Sequence, residues 1–216
     1  MDCKRREAPE LSLQHQMVNP EKTMKIISPE VSALFLNGRF ATSRRFMEND
    51  TSLAILLQIT VLCHNPPMKT PEDNGAVFDP VAQALVEFAA RKGFYKKLFE
   101  ALLPRRAEFS CGPNLEISCV IHEMNGKFRM MIKGHPEALF SHCTTILLNG
   151  RMVPITYKFL HRMAFYARRM SLQKLAVIAM AYKDLEWLPN HQDADDIMKN
   201  LTFAGFVGVT CGRENG

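Results

Sequence analysis

The stretch LEISCVIHEMNGKFRMMIKG, residues 115–134, decides how the chain is read. Two apolar-rich runs meet at Asn125-Gly126, a pair that tolerates left-handed backbone and so suits the two-residue turn of an antiparallel hairpin. A second stretch, TTILLNGRMVPI at residues 144–155, repeats the device at Asn149-Gly150. Between them the first hairpin runs out at Lys133-Gly134 and a proline follows at once, in IKGHPEALFSHC. Turn chemistry reads this as an ordinary strand-to-helix connection, and a phosphate-holding loop has the same composition.

Working outward from the hairpins, helices dominate the N-terminal side. In FDPVAQALVEFAARKGF, Asp79 caps, Pro80 starts and Gly93 stops a helix whose apolar face carries Ala84, Leu85, Phe88 and Ala89. Before it, DTSLAILLQITVLCHN places Leu53, Leu56, Leu57 and Thr60 on one helical face, and PPMKTPEDNG breaks the chain between the two. Further upstream, SPEVSALFL offers Ser28 as an N-cap with Pro29 at the first helical position, which predicts another helix. On the C-terminal side a helix is expected from about Thr156 to Lys174, with Leu160, Met163, Ala164, Ala167 and Met170 facing the core. Two strand-like runs, LAVIAMAYKDL and LTFAGFVGV, complete the pattern. Helices first, hairpins in the middle and a helix before the last strands predict an α+β fold, an antiparallel β-sheet flanked by helices. Residues 1–27 read as an arm or the remnant of an adjoining segment, 28–205 as the domain, and 206–216 as the end of a strand leading elsewhere.

Composition narrows the function classes. With 47% hydrophobic and 23% charged residues among 216, the chain has the makings of one packed domain. Its six cysteines form no C-x-x-C pair, so neither a disulfide framework nor a zinc ribbon is indicated and a reducing compartment fits. Cys63-His64 and His142-Cys143 lack the spacing of a zinc module, and no metal site is expected. No signal peptide opens the chain, and its longest apolar run, LAILLQITVLC, is about half the roughly 20 residues that span a bilayer, so the chain reads as soluble. The net charge of +5 is concentrated in RKGFYKKLFEALLPRR and KFLHRMAFYARRMSLQK. Such stripes ordinarily face water, and no recognition motif accompanies them, so nucleic acid is not an expected partner.

Taken in order, several blocks resemble the nucleotide-binding (N) domain of P-type cation-transporting ATPases, over about residues 50–210. VLCHN is similar to the family's helix ending in cysteine and asparagine, and FDPVAQALVEFAARKGF to its G-D-P-T-E-x-A-L block. EFSCG stands where the family has P-F-x-S-x-R-K, and IKGHPEALFSHCTTIL resembles K-G-A-P-E-x-I-L-x-x-C. LQKLAVIAMAYKDL and LTFAGFVGV resemble G-L-R-V-I-A-M-A-Y-K-x-L and L-T-F-L-G-L-V-G-I, the strand that leads back to the phosphorylation domain.

The resemblance implies an ATP-binding domain on the cytoplasmic side of a membrane transporter, with Mg²⁺ accompanying the nucleotide. Phe109 matches the phenylalanine on which the family stacks adenine, followed by Ser110, and Lys133 and Gly134 match its lysine and glycine beside the base and phosphates. A lysine ammonium is a point-charge partner for phosphate, and glycine permits close backbone approach. The implied partners are ATP and the phosphorylation and transmembrane domains of a parent transporter. The phosphorylated aspartate of D-K-T-G-T has no counterpart here, so this chain by itself is not expected to hydrolyse ATP.

The ligand positions are less well kept than the fold positions. Ala82 replaces the family's acidic residue, with Val81 and Phe78 where threonine and glycine stand; Cys111 and Asn114 fall where the basic pair belongs; Ala176 replaces an arginine and Lys174 a glycine; His135 replaces an alanine. Charge-assisted hydrogen bonds contribute about 1.5–3 kcal/mol each, so losing two weakens binding by roughly a hundredfold or more. Two readings follow: a nucleotide-binding domain using Phe109, Lys133 and new neighbours such as Lys174, or a degenerate, non-catalytic module that keeps the fold and serves regulation or protein interaction.

Overall fold

The computed structural model describes residues 28–43, 50–63, 79–111, 117–189 and 197–210; of Ser110 and Cys111 it describes the backbone. Its strands are β1 (Val31–Leu36), β2 (Arg39–Thr42), β3 (Arg105–Cys111), β4 (Ile117–Met124), β5 (Lys127–Gly134), β6 (Cys143–Leu148), β7 (Arg151–Pro154), β8 (Leu175–Leu185) and β9 (Leu201–Thr210). Its helices are α1 (Thr51–Leu62), α2 (Pro80–Arg91), α3 (Lys96–Leu102), α4 (Pro136–Phe140) and α5 (Tyr157–Leu172). The strands form one sheet in the order β2-β1-β9-β8-β5-β4-β3, with β6 and β7 attached through β9. All described pairings are antiparallel except β6 with β9. The expected α+β architecture is therefore the observed one.

Three Asn-Gly pairs set the hairpins. Asn125-Gly126 and Asn149-Gly150 both take positive φ, joining Met124 to Lys127 and Leu148 to Arg151 as facing residues. Asn37-Gly38 does the same with φ of 53° and 66°, and this corrects the N-terminal expectation: SPEVSALFL is not a helix. Left-handed backbone at two successive residues folds Leu36 back onto Arg39, and the apolar run before the turn pairs on its other side with β9. The Ser-Pro capping signal is overruled by partners far along the chain.

The two sheet faces carry separate cores. On one, α1 and α2 bury Leu53, Leu56, Leu57, Leu85 and Phe88 against Val120, Met131, Met180 and Val207. On the other, α4 and α5 bury Leu139, Met163 and Met170 against Phe35, Ile132, Phe203 and Phe206. Leu53, Leu56, Leu57 and Thr60 are buried as expected, and so are Ala84, Leu85, Phe88 and Ala89. In α5 the phase differs: Met163, Ala167 and Met170 are buried, but Leu160 and Ala164 face solvent, and Phe159 and Tyr166 reach the core instead. The buried stripe is displaced only part of a residue step from the expected face, because the sheet beneath it accepts aromatic rings at 159 and 166.

β9 lies inside the sheet between β8 on one side and β1 and β6 on the other, and Gly205 lets it change neighbours. Leu201–Phe203 pair with β6, whereas Phe206–Val209 pair with β1. Gly205 has φ of 155°, and a Cβ there meets the Phe35 carbonyl oxygen at 2.6 Å. The boundary expected after residue 205 thus falls inside a strand that continues to Thr210. Residues 1–27 lie outside the described residues. No helix among the described residues is long and apolar enough to cross a membrane.

Candidate functional site

The C-terminal end of β5, the start of α2 and β8 enclose a cleft of about 330 Å³. Asp79, in extended conformation, accepts hydrogen bonds from the backbone of Val81 (3.0 Å) and Ala82 (3.1 Å), and Pro80 occupies the first turn. This fixes the helix N-terminus at the cleft wall, with the Asp79 carboxylate, itself part of the cleft lining, set against its partial positive charge. Val81, Ala82 and Leu85 from α2 and Val177 and Ile178 from β8 make the walls apolar. Lys133 brings a half-buried cation; Gly134 and an exposed His135 follow it as the strand turns into α4.

Register explains why Lys133 stands where it does. Ser118 faces Lys133 across β4–β5 and faces Ser110 across β3–β4, so the three backbones form one row, and Ser118 lines the cleft with Lys133. Beneath that row ends α1, whose last carbonyl, Leu62, accepts from Arg105 Nη2 at 3.1 Å. Cys63 donates its thiol to the Ser118 carbonyl oxygen at 3.4 Å, and burial pushes the thiol up to about 11. A few residues along β4, His122 is fully buried with Nδ1 2.7 Å from the Leu103 carbonyl oxygen; Nε2 has no partner among the described residues. Burial lowers its pKa below the usual imidazole value, partly offset by the Leu103 carbonyl.

Of the residues singled out in the sequence, Lys133 and Gly134 come together in the cleft, and Ala82 joins them from α2. Phe109 does not. It faces Cys119, whose other neighbour is Ile132, and packs half-buried on the core of the α4/α5 face. Neighbouring residues of a strand point to opposite sides, so a ring in the Cys119 row and an ammonium in the Ser118 row stand on opposite faces. Cys111 ends β3 opposite Ile117. Asn114 lies outside the described residues. Ala176 is half-buried in β8 opposite Val209, and Lys174, with φ of 59°, sits in the α5–β8 connection and is not part of the cleft lining. Among the described residues no cluster of three or more His, Cys, Asp or Glu is arranged to hold a metal. Cys63 and Cys143 belong to different cores.

Sequence reasoning missed Ser118, Val177 and Ile178 as cleft residues and assigned Asp79 a capping role alone. Ser118 was within reach: counting back from Asn125-Gly126 in strict register sets it opposite Lys133. The contributions of α2 and β8 carry no local signal.

The chain is similar in sequence to known proteins over most of these elements. The model of the P-type ATPase cytoplasmic domain N matches residues 52–210. Among curated relatives, Calcium-transporting ATPase 1 of Bacillus cereus is 27% identical over 161 residues, covering 74% of this chain and 18% of the relative. Cation-transporting ATPase pma1 of Synechocystis is 29% identical over 153 residues, covering 69% and 16%. Calcium-transporting ATPase 1 of Lactococcus lactis is 26% identical over 129 residues, covering 60% and 14%. This chain therefore spans less than a fifth of the length of the relatives it matches. With the family match running from the first turn of α1 to the last residue of β9, the chain belongs to the family of the cytoplasmic N domain of P-type ATPases.

Proposed function

We propose that this chain is the nucleotide-binding part of a cation-transporting P-type pump, holding ATP at the Lys133–Gly134 cleft and presenting the γ-phosphate to an aspartate outside this chain. The observation that carries the reading is the cleft itself, where a half-buried lysine and a glycine on β5 meet apolar walls and a capped helix N-terminus. A cavity of about 330 Å³ suits a base with its ribose, and leaves the phosphates to run past Lys133 toward solvent. ATP supplies the transferable phosphoryl group. The residues here bind and orient it: Val81, Ala82 and Ile178 cover the base, and the Lys133 ammonium meets phosphate as a point charge. With no acidic cluster beside the cleft among the described residues, Mg²⁺ travels with the phosphates.

In this reading Phe109 supports the site from behind, its ring packed on the α4/α5-face core while its own strand carries Ser110, rather than stacking on the base. The partners are the phosphorylation and transmembrane domains of the parent pump, and three relatives' names give calcium as the ion they carry.

A second reading is a degenerate module that has kept the fold for regulation or protein interaction. Ala82 favours it, because an acid of the family motif is here a buried methyl group at the cleft wall. Thermal denaturation with and without MgATP separates the two. A ligand at 100 times its Kd stabilises by about 2.7 kcal/mol, so a binding domain melts several degrees higher with saturating nucleotide. A midpoint unmoved by millimolar MgATP sinks the nucleotide reading and leaves the module.

A further inference from the structure

Cys63 is 1% exposed and stands outside the cleft lining, yet its surroundings all lead there. It caps α1, its backbone N–H bonded to the Ile59 carbonyl oxygen at 2.8 Å, and the Leu62 carbonyl beside it is held by Arg105. The helix end is thereby anchored over β4 and β5. From it the thiol donates to the Ser118 carbonyl at 3.4 Å, and the Lys133 backbone N–H reaches the same sulfur. One atom thus touches the backbones of the two facing residues that line the cleft from the sheet side.

We propose that Cys63 is a positioning residue for the nucleotide site: its thiol fixes the Ser118–Lys133 pair against the end of α1 and so sets where the Lys133 ammonium stands in the cleft. The inference rests on the nucleotide reading above. A thiol suits the task because it bridges two backbones without carrying charge into the core; burial holds it protonated at neutral pH, so the donor persists. The side chain never meets the ligand, and its effect passes through the two backbones.

The test is an NMR titration of the labelled 216-residue chain with MgATP, in the wild type, Cys63→Val, Cys63→Ser and Leu57→Ala. Valine fills the volume and removes the donor; serine keeps a donor; Leu57→Ala loosens α1 away from the row. In Cys63→Val the Lys133 and Gly134 amide signals should be displaced before nucleotide is added, and Kd should weaken about three- to tenfold, the size of one lost neutral hydrogen bond. Cys63→Ser should recover most of the affinity, and Leu57→Ala should lower the melting midpoint with Kd unchanged. Equal Kd in wild type and Cys63→Val, or a loss in Leu57→Ala as large as in Cys63→Val, overturns the positioning role. A wild type silent to millimolar MgATP overturns the nucleotide reading, and this inference with it.

Discussion

The two faces of the sheet differ in what they are built to do. On the α4/α5 face, Phe35, Phe203 and Phe206 are fully buried and in ring contact, with Phe35 and Phe206 stacked at 4.8 Å, and Phe109 joins that core at its margin. On the α1/α2 face the packing stops short of the sheet's end and leaves the cleft, with Lys133 and Ser118 at its floor. A single step along a strand separates the two environments. Motif matching reads positions along the chain and cannot see which face each one enters, so it groups Phe109 with Lys133 although the pleat sends them apart.

The largest effect that sharpens this contrast is Phe203→Ala. Truncating a buried phenylalanine costs about 3–5 kcal/mol, so urea denaturation should show a large fall in midpoint. The fraction still folded should bind MgATP as before, since the ring lies on the far face; a proportionate loss of affinity would join the two faces into one functional unit. Gly205→Ala comes next. The added Cβ meets the Phe35 carbonyl oxygen at 2.6 Å, and overpacking of this kind costs about 1–3 kcal/mol. Retention of wild-type stability would mean that β9 changes partners without needing glycine.

A paired measurement addresses the faces directly. Lys133→Ala should weaken MgATP binding about tenfold or more, as loss of a charge-assisted contact does, with little change in melting midpoint. Phe109→Ala should do the reverse, lowering stability by about 1–3 kcal/mol with a smaller effect on affinity. If Phe109→Ala abolishes binding at unchanged stability, the end of β3 turns its ring toward the nucleotide and the contrast breaks.

The smallest expected effect concerns pH. His122 has its folded pKa below the ordinary 6.5, so on acidification the unfolded chain takes up the proton first. Its contribution is complete above about 6.5 and is lost as pH falls from there toward the folded value. Stability measured against pH should slope downward in that window, and His122→Gln should flatten the slope. An unchanged slope would put the acid sensitivity elsewhere.

Much of the fold was legible because its signals are local. Asp79-Pro80 before α2 and the Asn-Gly pairs at 125 and 149 act through the conformations of one or two residues, and the structure follows them. Asn37-Gly38 carries the same signal, and reading Ser28-Pro29 first produced a helix where a strand stands. The candidate site was half legible. Lys133 and Gly134 lie at the end of a hairpin whose register the turn already dictates, whereas Val177, Ile178 and the cleft side of α2 arrive from distant segments.

The sequence by itself determined the hairpins, the capped helix, the α+β class and the family resemblance, because turn conformations, caps and apolar periodicity are properties of neighbours in the chain. Tertiary structure alone decided that β9 sits inside the sheet and changes partners at Gly205, that Phe109 and Lys133 look to opposite sides, and that Cys63 lies beneath the Ser118–Lys133 pair. These depend on which strands meet and in what register, and that is settled by burying both faces of one sheet at once.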